Sequence, residues 1–494
     1  MQFRKIHPSD NVAVALGKAE AGEILSLEGG QETVMSEAVT AGHKVALEPI
    51  KAGQEVIKYG HPIGRATADI ATGQSVHTHN LKTGLEGVLQ YDYNPRLAAG
   101  EKREPGNFMG FRRPDGKVGV RNELWIIPTV GCINILATAM EKKSQGFVSD
   151  GLEGIYAFPH PYGCSQLSGD LENTRQAIAG MINHPNAGGV LVLGLGCENN
   201  DIEGLKKVVG NYDPNRVKFL LCQQSSDELS EGLELLKELA QNAAKFKRES
   251  IPMSELIVGL KCGGSDGFSG ISANPLVGAF TDRLIAEGGS AILTEVPEMF
   301  GAETILMNRC KTPELFEKTV NLINDFKNYF IINGQEIYEN PSPGNKDGGI
   351  STLEDKSLGC VQKGGGADIV DVLPYAHPVS KKGLNLLSGP VNDLVSISNM
   401  TASGAHIILF TTGLGTPFGT ATPTIKISSN TALYKRKPNW IDFDAGQLLE
   451  GVTMPQLRDE LYEYVRAVAS GEKKAKNEQI GAREFTIFKT GVTL

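Results

Sequence analysis

Residues 188–210 read "GGVLVLGLGCENNDIEGLKKVVG": an unbroken apolar and glycine run, a turn carrying a cysteine and an acid, then an amphipathic segment. A run without polar alternation is buried on both faces, and a helix directly after it marks a parallel strand covered by helices. The pairing recurs in "RVKFLLCQQ" before "SDELSEGLELLKELAQNAAKFK" and in "SAILTEV" before "TPELFEKTVNLINDFKNYF". Strand–helix alternation over most of the chain predicts an α/β fold with mainly parallel sheets. Polar "NAAKFKRESIPMSE" separates two such series and puts a boundary near residue 250. The later series offers about seven strand candidates, among them "LIVGLKC", "AILTEV", "IVDVLP", "HIILFTT" and "PTIKISS".

The first ninety-odd residues differ. "KVAL", "EVIKYG" and "SVHTHN" are short β-type runs between glycine turns, and "IKAGQEV" and "IATGQSV" are near copies, so residues 1–94 predict a small all-β domain. Residues 95–120, rich in Gly, Pro and charge, predict a linker; 121–250 and 251–494 are then two α/β regions. With 494 residues, 40% hydrophobic and 21% charged, the composition is that of a multidomain globular protein. A net charge of −9 without a basic tract argues against a nucleic-acid partner. No stretch has the length of a signal peptide core or a membrane span, so the expected location is the cytoplasm. Seven cysteines there are expected as thiols, ligands or core residues, not disulfides.

In open parallel sheets ligands sit beyond the carboxyl ends of the strands. Cys132, Cys164, Cys197, Cys222 and Cys262 all fall at predicted strand ends. Either each is a small buried residue, as free cysteine usually is, or several share a soft metal ion such as iron or zinc. The metal reading takes three of Cys132, Cys164, Cys197 and Cys262, with Glu198 or Asp266 nearby; Cys222, Cys310 and Cys360 are read as core or helix residues. The rival, harder set is Asp266, Glu295 and Glu298. The loop "CGGSDGFSGISANP" offers Ser265, Asp266 and Asn274 to a hydroxylated or anionic ligand. In "HTHN", His77 and His79 lie two residues apart on one side of a strand, suited to metal binding, proton transfer or a plain solvent edge. His160 in "PHPYGC" is an acid/base candidate or a packed ring; the polar stretch holding Lys346 and Lys356 is a lid over an acidic substrate or an ordinary connection. "GLGCEN" lacks the third glycine of a dinucleotide fingerprint and "GLGTPFG" lacks the ending of a phosphate loop, which argues against a nicotinamide enzyme.

At "HTHN", "TVGC", "HPYGCSQ", "GLGCENN", "CGGSDGFSGISANP", "LTEVPEMFGAE", "NPSPGNKDGG", "TLEDKSLGC" and "WIDFDAGQL" the chain resembles the family that holds altronate dehydratase, galactarate dehydratase and sulfolactate sulfo-lyase. The resemblance runs down to the terminal "FKTGVTL". It implies an N-terminal SAF-type β-clip domain, a middle domain with dimer contacts, and a C-terminal Rossmann-like variant. It also implies loss of water from D-altronate to give 2-dehydro-3-deoxy-D-gluconate in hexuronate breakdown, with Fe(II), or Mn(II), as cofactor. One departure is Leu414 in "GLGTP", where the family is expected to carry arginine. Another cation then holds the carboxylate, or the substrate differs.

Such a reaction removes a weakly acidic proton α to a carboxylate and expels hydroxide, and a metal eases both. The cysteine set would hold iron, singly or in a labile iron–sulfur cluster with one open iron. His160, His79 and Glu198 are the acid/base candidates, and His77, Arg121, Ser265, Asp266, Asn274, Lys346 and Lys356 the substrate-binding ones. The alternatives are elimination from galactarate or a sulfonated hydroxy acid, and a non-catalytic sugar-acid-binding module.

Overall fold

The computed structural model describes residues 2–27, 32–98 and 100–494. Its N-terminal part holds a six-stranded sheet, in spatial order Glu32–Val34, Ile24–Leu27, Gln2–Arg4, Val12–Ala15, Lys44–Ala46 and Ser75–Val76. A three-stranded sheet of Glu55–Lys58, His61–Ala66 and Leu81–Lys82 lies beside it. The near repeat in the sequence is one turn built twice. Gln54 Oε1 accepts from Lys51 N at 2.7 Å and Gln74 Oε1 from Ala71 N at 2.9 Å, and Gly53 and Gly73 take the positive φ each turn needs. Ile50 and Ile70, the first residue of each copy, face each other in an antiparallel bridge.

Within the stretch expected as a linker, two segments are strands. Asn107–Arg112 pairs antiparallel with both Val118–Gly119 and Glu249–Pro252. Phe108 and Phe111 are buried there, and two isolated aromatics among glycine and charge are too sparse to show as a periodic pattern. The strap thus ties the start of one α/β region to the start of the next.

The middle region is a four-stranded parallel sheet in the order Gly154–Ala157, Glu123–Pro128, Ala187–Gly194, Val217–Leu221. Every residue of Glu123–Pro128 and Ala187–Gly194 is buried, as continuous apolar runs require. The C-terminal region is a seven-stranded, wholly parallel sheet in the order Ile369–Leu373, Leu384–Leu387, Ser290–Leu293, Ile257–Cys262, Ile407–Thr412, Thr424–Ser428, Phe443–Asp444. The chain starts at Ile257–Cys262, builds to one side, then returns to add Ile407–Thr412 on the other. The switch point therefore lies between these two strands, where ligand clefts form in open α/β sheets.

The two parallel sheets are joined through the helices Ser168–Ile182 and Asp393–Ala402. Gly180 is packed against Ala402, and Gln176 Nε2 reaches Ala376 O, whose own N–H donates to Asn399 Oδ1. Each helix starts from the carboxyl edge of its own sheet, and their C-terminal turns meet at Gly180 and Ala402. The C-terminal tail crosses between them. Thr486 N donates to Ser398 Oγ, Gly491 N to Asp170 Oδ2, and Leu494 N to Ser165 O.

Three buried histidines brace this framework. His160, His184 and His406 each accept a backbone N–H at Nδ1, from Tyr162, Asn186 and Ile257. His160 and His184 also donate from Nε2 to Pro128 O and Ala405 O. Burial lowers His160 and His406 to about 4 and His184 well below its ordinary value. The unfolded chain takes up these protons near pH 6.5 and the native state does not, so their contribution is complete above that pH and lost as pH falls. Thermal unfolding followed from pH 8 to pH 4.5 should show a midpoint that is flat above about pH 7 and drops steeply below about pH 6. A midpoint independent of pH across that range would contradict neutral, buried rings.

Candidate active site

The carboxyl edge of the seven-stranded sheet carries a buried charge cluster. Lys261 and Cys262 end their strand fully inside the protein, Glu295 and Glu298 follow Ser290–Leu293, and Lys356, Cys360 and Lys363 come from the helix Leu353–Cys360 and the turn after it. Lys261 Nζ pairs with Glu295 and, at 2.8 Å, with Asp393. Lys363 Nζ lies 2.9 Å from Cys262 Sγ, and Lys356 Nζ 3.0 Å from Glu298 Oε1. Cys262 Sγ is 3.4 Å from Cys360 Sγ and 3.1 Å from Glu298 Oε2. The thiol–thiol hydrogen bond outweighs burial and, with Lys363 and Lys261, pulls Cys262 down, while the same bond and burial push Cys360 up. Burial is likewise outweighed on Glu298 by Lys356, Lys363 and Lys261, which hold it well below the usual carboxylate range. Glu295 sits at φ +69, the left-handed region, a cost that tends to be retained at functional sites.

Above this cluster lies the switch-point loop. Asp266 accepts from Ser269 Oγ, Ser429 Oγ and Asn430 Nδ2, yet burial still raises it. Ser265 is buried and its Oγ has no hydrogen-bond partner, an unmet group of the kind a ligand satisfies. Asn345, in the short helix Pro343–Asp347 that carries half-buried Lys346, donates to Ser265 O at 2.9 Å and accepts from Lys356 at 3.1 Å. Leu414 is 45% exposed at this mouth, with its N–H on Gly264 O.

The N-terminal domain closes the other side. Lys44 and Lys58 reach Asp355, each at 2.9 Å, and Lys44 also meets Ser351 Oγ at 2.7 Å. His77 Nδ1 lies 2.8 Å from the same Ser351 Oγ, and its ring meets that of His43 with centroids 5.1 Å apart. Burial, with Lys44 and His43 beside it, lowers His77 to about 4, so the ring is neutral at neutral pH. His79 is exposed on the following turn.

The other thiols occupy the middle sheet. Cys132, Cys164 and Cys197 are exposed on three loops stitched together by Gly131 N on Tyr162 O, Asn200 N on Gly163 O, and Asn200 Nδ2 on Thr129 O. Exposure is unusual for cysteine, among the most buried residue types. Glu198 is buried beneath them, bonded to Thr129 Oγ1 at 2.5 Å and Gly196 N at 2.6 Å; these bonds outweigh burial and lower it. Ser165 and Ser168 take positive φ around Cys164.

Several expectations need correction. Of the four cysteines from which a set of three is expected, Cys262 stands apart: it ends a strand of the other sheet and meets Cys360, a buried helix residue as the sequence predicts. His160 has both ring nitrogens bonded to backbone inside the protein, so it braces the Cys164 loop and is not poised to move protons. Arg121 is buried in a two-point contact with Glu478, at 2.7 and 2.9 Å, and is not free to hold a substrate. Asn274 is held by Gly359 O and Thr411 Oγ1 and supports the loop from beneath. Cys360, Lys363, Lys261 and Tyr59 were missed; the one visible signal was a lysine inside the apolar strand "LIVGLKC".

A metal can be tested against both edges. Among the described residues, the group of such donors lying within 4.8 Å of one another is Cys262, Glu298 and Cys360. That set does not fit a cation, because ammonium groups already sit on Cys262 and Glu298, with Lys261 close by. Glu295 is tied to Lys261 in the same way, which removes the harder set too. Cys132, Cys164 and Cys197 are exposed soft donors carrying no ammonium partner among the described residues, but their sulfur atoms are not gathered within 4.8 Å of one another.

The fold is that of an α/β protein with a buried charge cluster at the carboxyl edge of a parallel sheet. Family models agree along the chain: the altronate/galactarate dehydratase SAF domain matches residues 1–84, the D-galactarate dehydratase/altronate hydrolase second domain 110–244, and the D-galactarate/altronate dehydratase C-terminal domain 253–493. The chain is 53% identical to an altronate dehydratase of Bacillus subtilis (strain 168) over 100% of its length and 99% of that protein's. It is 51% identical to an altronate dehydratase of Escherichia coli (strain K12), covering 100% of both. To a galactarate dehydratase (L-threo-forming) of the same strain it is 32% identical, over 97% of this chain and 95% of that one. The chain belongs to the altronate/galactarate dehydratase family, and it is a hydro-lyase. No helix among the described residues is long and apolar enough to cross a membrane.

Proposed function

We propose that the chain removes water from D-altronate to give 2-dehydro-3-deoxy-D-gluconate in hexuronate breakdown, as a cytoplasmic, iron-dependent homodimer. The full-length likeness to two altronate dehydratases, at 53% and 51% identity, carries this reading. The lysines at the carboxyl edge, Lys346 and Lys356, support it, since an aldonate brings one carboxylate and a chain of hydroxyls.

In this reading Lys346, at the mouth, meets the substrate carboxylate, and Lys356 stands below it with Asn345. Ser265 Oγ receives a hydroxyl of the chain. His77, neutral and oriented through Ser351, takes the α-proton, and His79 exchanges it with solvent. A base so placed supplies roughly 10²–10⁴-fold. Cys132, Cys164 and Cys197 would hold the iron, singly or in a cluster. Bound there, iron supplies Lewis acidity toward the oxygens of the substrate. The reading requires the thiol edge and the lysine edge to serve one cleft, within a subunit or across the dimer.

The test is 2-keto acid formation by anaerobically purified protein with Fe(II) and reductant, offered D-altronate, D-gluconate and galactarate. Turnover of D-altronate is expected with a kcat/KM at least tenfold above the others, because the apolar Leu414 at the mouth offers no partner to a second carboxylate. Preference for galactarate would shift the substrate assignment, and turnover of none of the three would end it.

A further inference from the structure

We propose that Tyr59, carried by the N-terminal domain, donates the proton that turns the departing hydroxyl into water. The inference deepens the dehydratase reading above and rests on it.

Tyr59 is one of five non-glycine residues in the described chain with positive φ, at +60. Holding a tyrosine there costs energy that the fold has to return elsewhere. What the strain secures is the position of the phenol, which reaches out of its own domain into the carboxyl edge of the seven-stranded sheet. Gly270 leaves room for it: a Cβ there would collide with Tyr59 Oη, and one at Gly359 would stand 3.4 Å from it. The ring, with Lys58, lines a small cavity with Ser265, Asp266, Lys356 and Cys360. That cavity is about 10 Å³. It has room for about one water and none for a sugar chain. A substrate seated at the mouth, by Lys346 and Leu414, can extend into it only a group of that size.

The chemistry asks for a proton donor there. Elimination breaks the α C–H and the β C–O bonds, and hydroxide leaves badly unless protonated as it goes. The α-proton leaves first, to His77, with its electron pair held as the enolate of the carboxylate; that pair then forms the C=C bond of an enol as the β C–O bond breaks and the proton passes from Tyr59 Oη to the departing oxygen, giving water. The phenolate left behind faces the ammonium of Lys58, 4.7 Å from the ring centre, and the enol rearranges to the 2-keto acid. Solvent returns the proton to the phenolate, so the cycle needs no co-reactant. Burial raises the phenol to about 12, against the pull of Lys58, so it is protonated throughout the physiological range.

Tyr59→Phe keeps the ring and its wedge and removes only the donor. With D-altronate as substrate, the variant should keep KM within threefold and lose kcat by about 10²–10⁴-fold. In D2O it should still exchange the α-hydrogen of recovered altronate, because the α-proton acceptor is untouched. Elimination by Tyr59→Phe within threefold of wild type would overturn the proposal. So would loss of α-exchange in step with elimination, which would mark Tyr59 as structural. An inactive wild type in the same assay would count against the dehydratase reading itself, and this inference would fall with it.

Discussion

Asp355→Ala is expected to cost about 3–5 kcal/mol of stability, the scale for removing one partner of a buried ion pair. The carboxylate is 2% exposed and each of its oxygens meets a different lysine of the N-terminal domain, Lys44 at Oδ2 and Lys58 at Oδ1. Burial acts on all three groups. On Asp355 and Lys58 it is outweighed by the opposite charge, so the carboxyl is held well below its usual range and the ammonium above; on Lys44 it prevails, and that group falls to about 8. Without Asp355 two ammonium groups would face each other in the interior, and the cheapest relief is to swing the N-terminal domain off the helix Leu353–Cys360. That helix also carries Lys356 and Cys360, so activity should fall with docking. Denaturant unfolding and limited proteolysis of the variant measure both; unchanged stability with a protease-resistant N-terminal domain would refute the clamp. Because the Asp355 carboxyl is depressed in the fold, its contribution is complete above about pH 4 and lost as pH falls below that.

Cys197→Ser should leave the fold intact, remove most of the bound iron and lower turnover by about 10³-fold, the upper end of the range for loss of electrostatic stabilisation. The thiol is exposed and its contact is a weak one, from Gln223 Nε2 at 3.6 Å, so the substitution costs little stability, within about 0.5 kcal/mol. Cys132→Ser and Cys164→Ser should behave alike, since the three loops are bonded to one another. Cys222→Ser is the control: buried at the adjacent strand end, with burial raising its thiol to about 11, it should retain iron. Iron and acid-labile sulfide read on the purified variants decide this independently of activity. Full iron retention by all three serine variants would remove the middle sheet as the metal site.

How far the sequence reached depended on the range of each signal. Strands such as Ala187–Gly194 and Ile407–Thr412 were legible because burial on both faces leaves an unbroken apolar run. Leu384–Leu387 and Phe443–Asp444, only four and two residues long, carry too little pattern to stand out, and their place is set by neighbours already in the sheet. The thiols at strand ends were visible as a group, but nothing local says which sheet a strand joins, so Cys262 was pooled with cysteines of another edge. Lys44, Lys58 and Asp355 lie about 300 positions apart in sequence, at separations of 311 and 297 residues, and a pairing that far apart has no periodic trace. His160 shows the reverse problem: a histidine before a cysteine reads as chemistry until its two nitrogens are found bonded to backbone.

The most direct measurement is the rate of 2-keto acid formation from D-altronate by one anaerobic preparation, before and after its metal is chelated away and again after Fe(II) and reductant are restored. The account predicts that turnover vanishes with the metal and returns with it, in proportion to iron rebound. Equal rates from the stripped and the replete protein would contradict it.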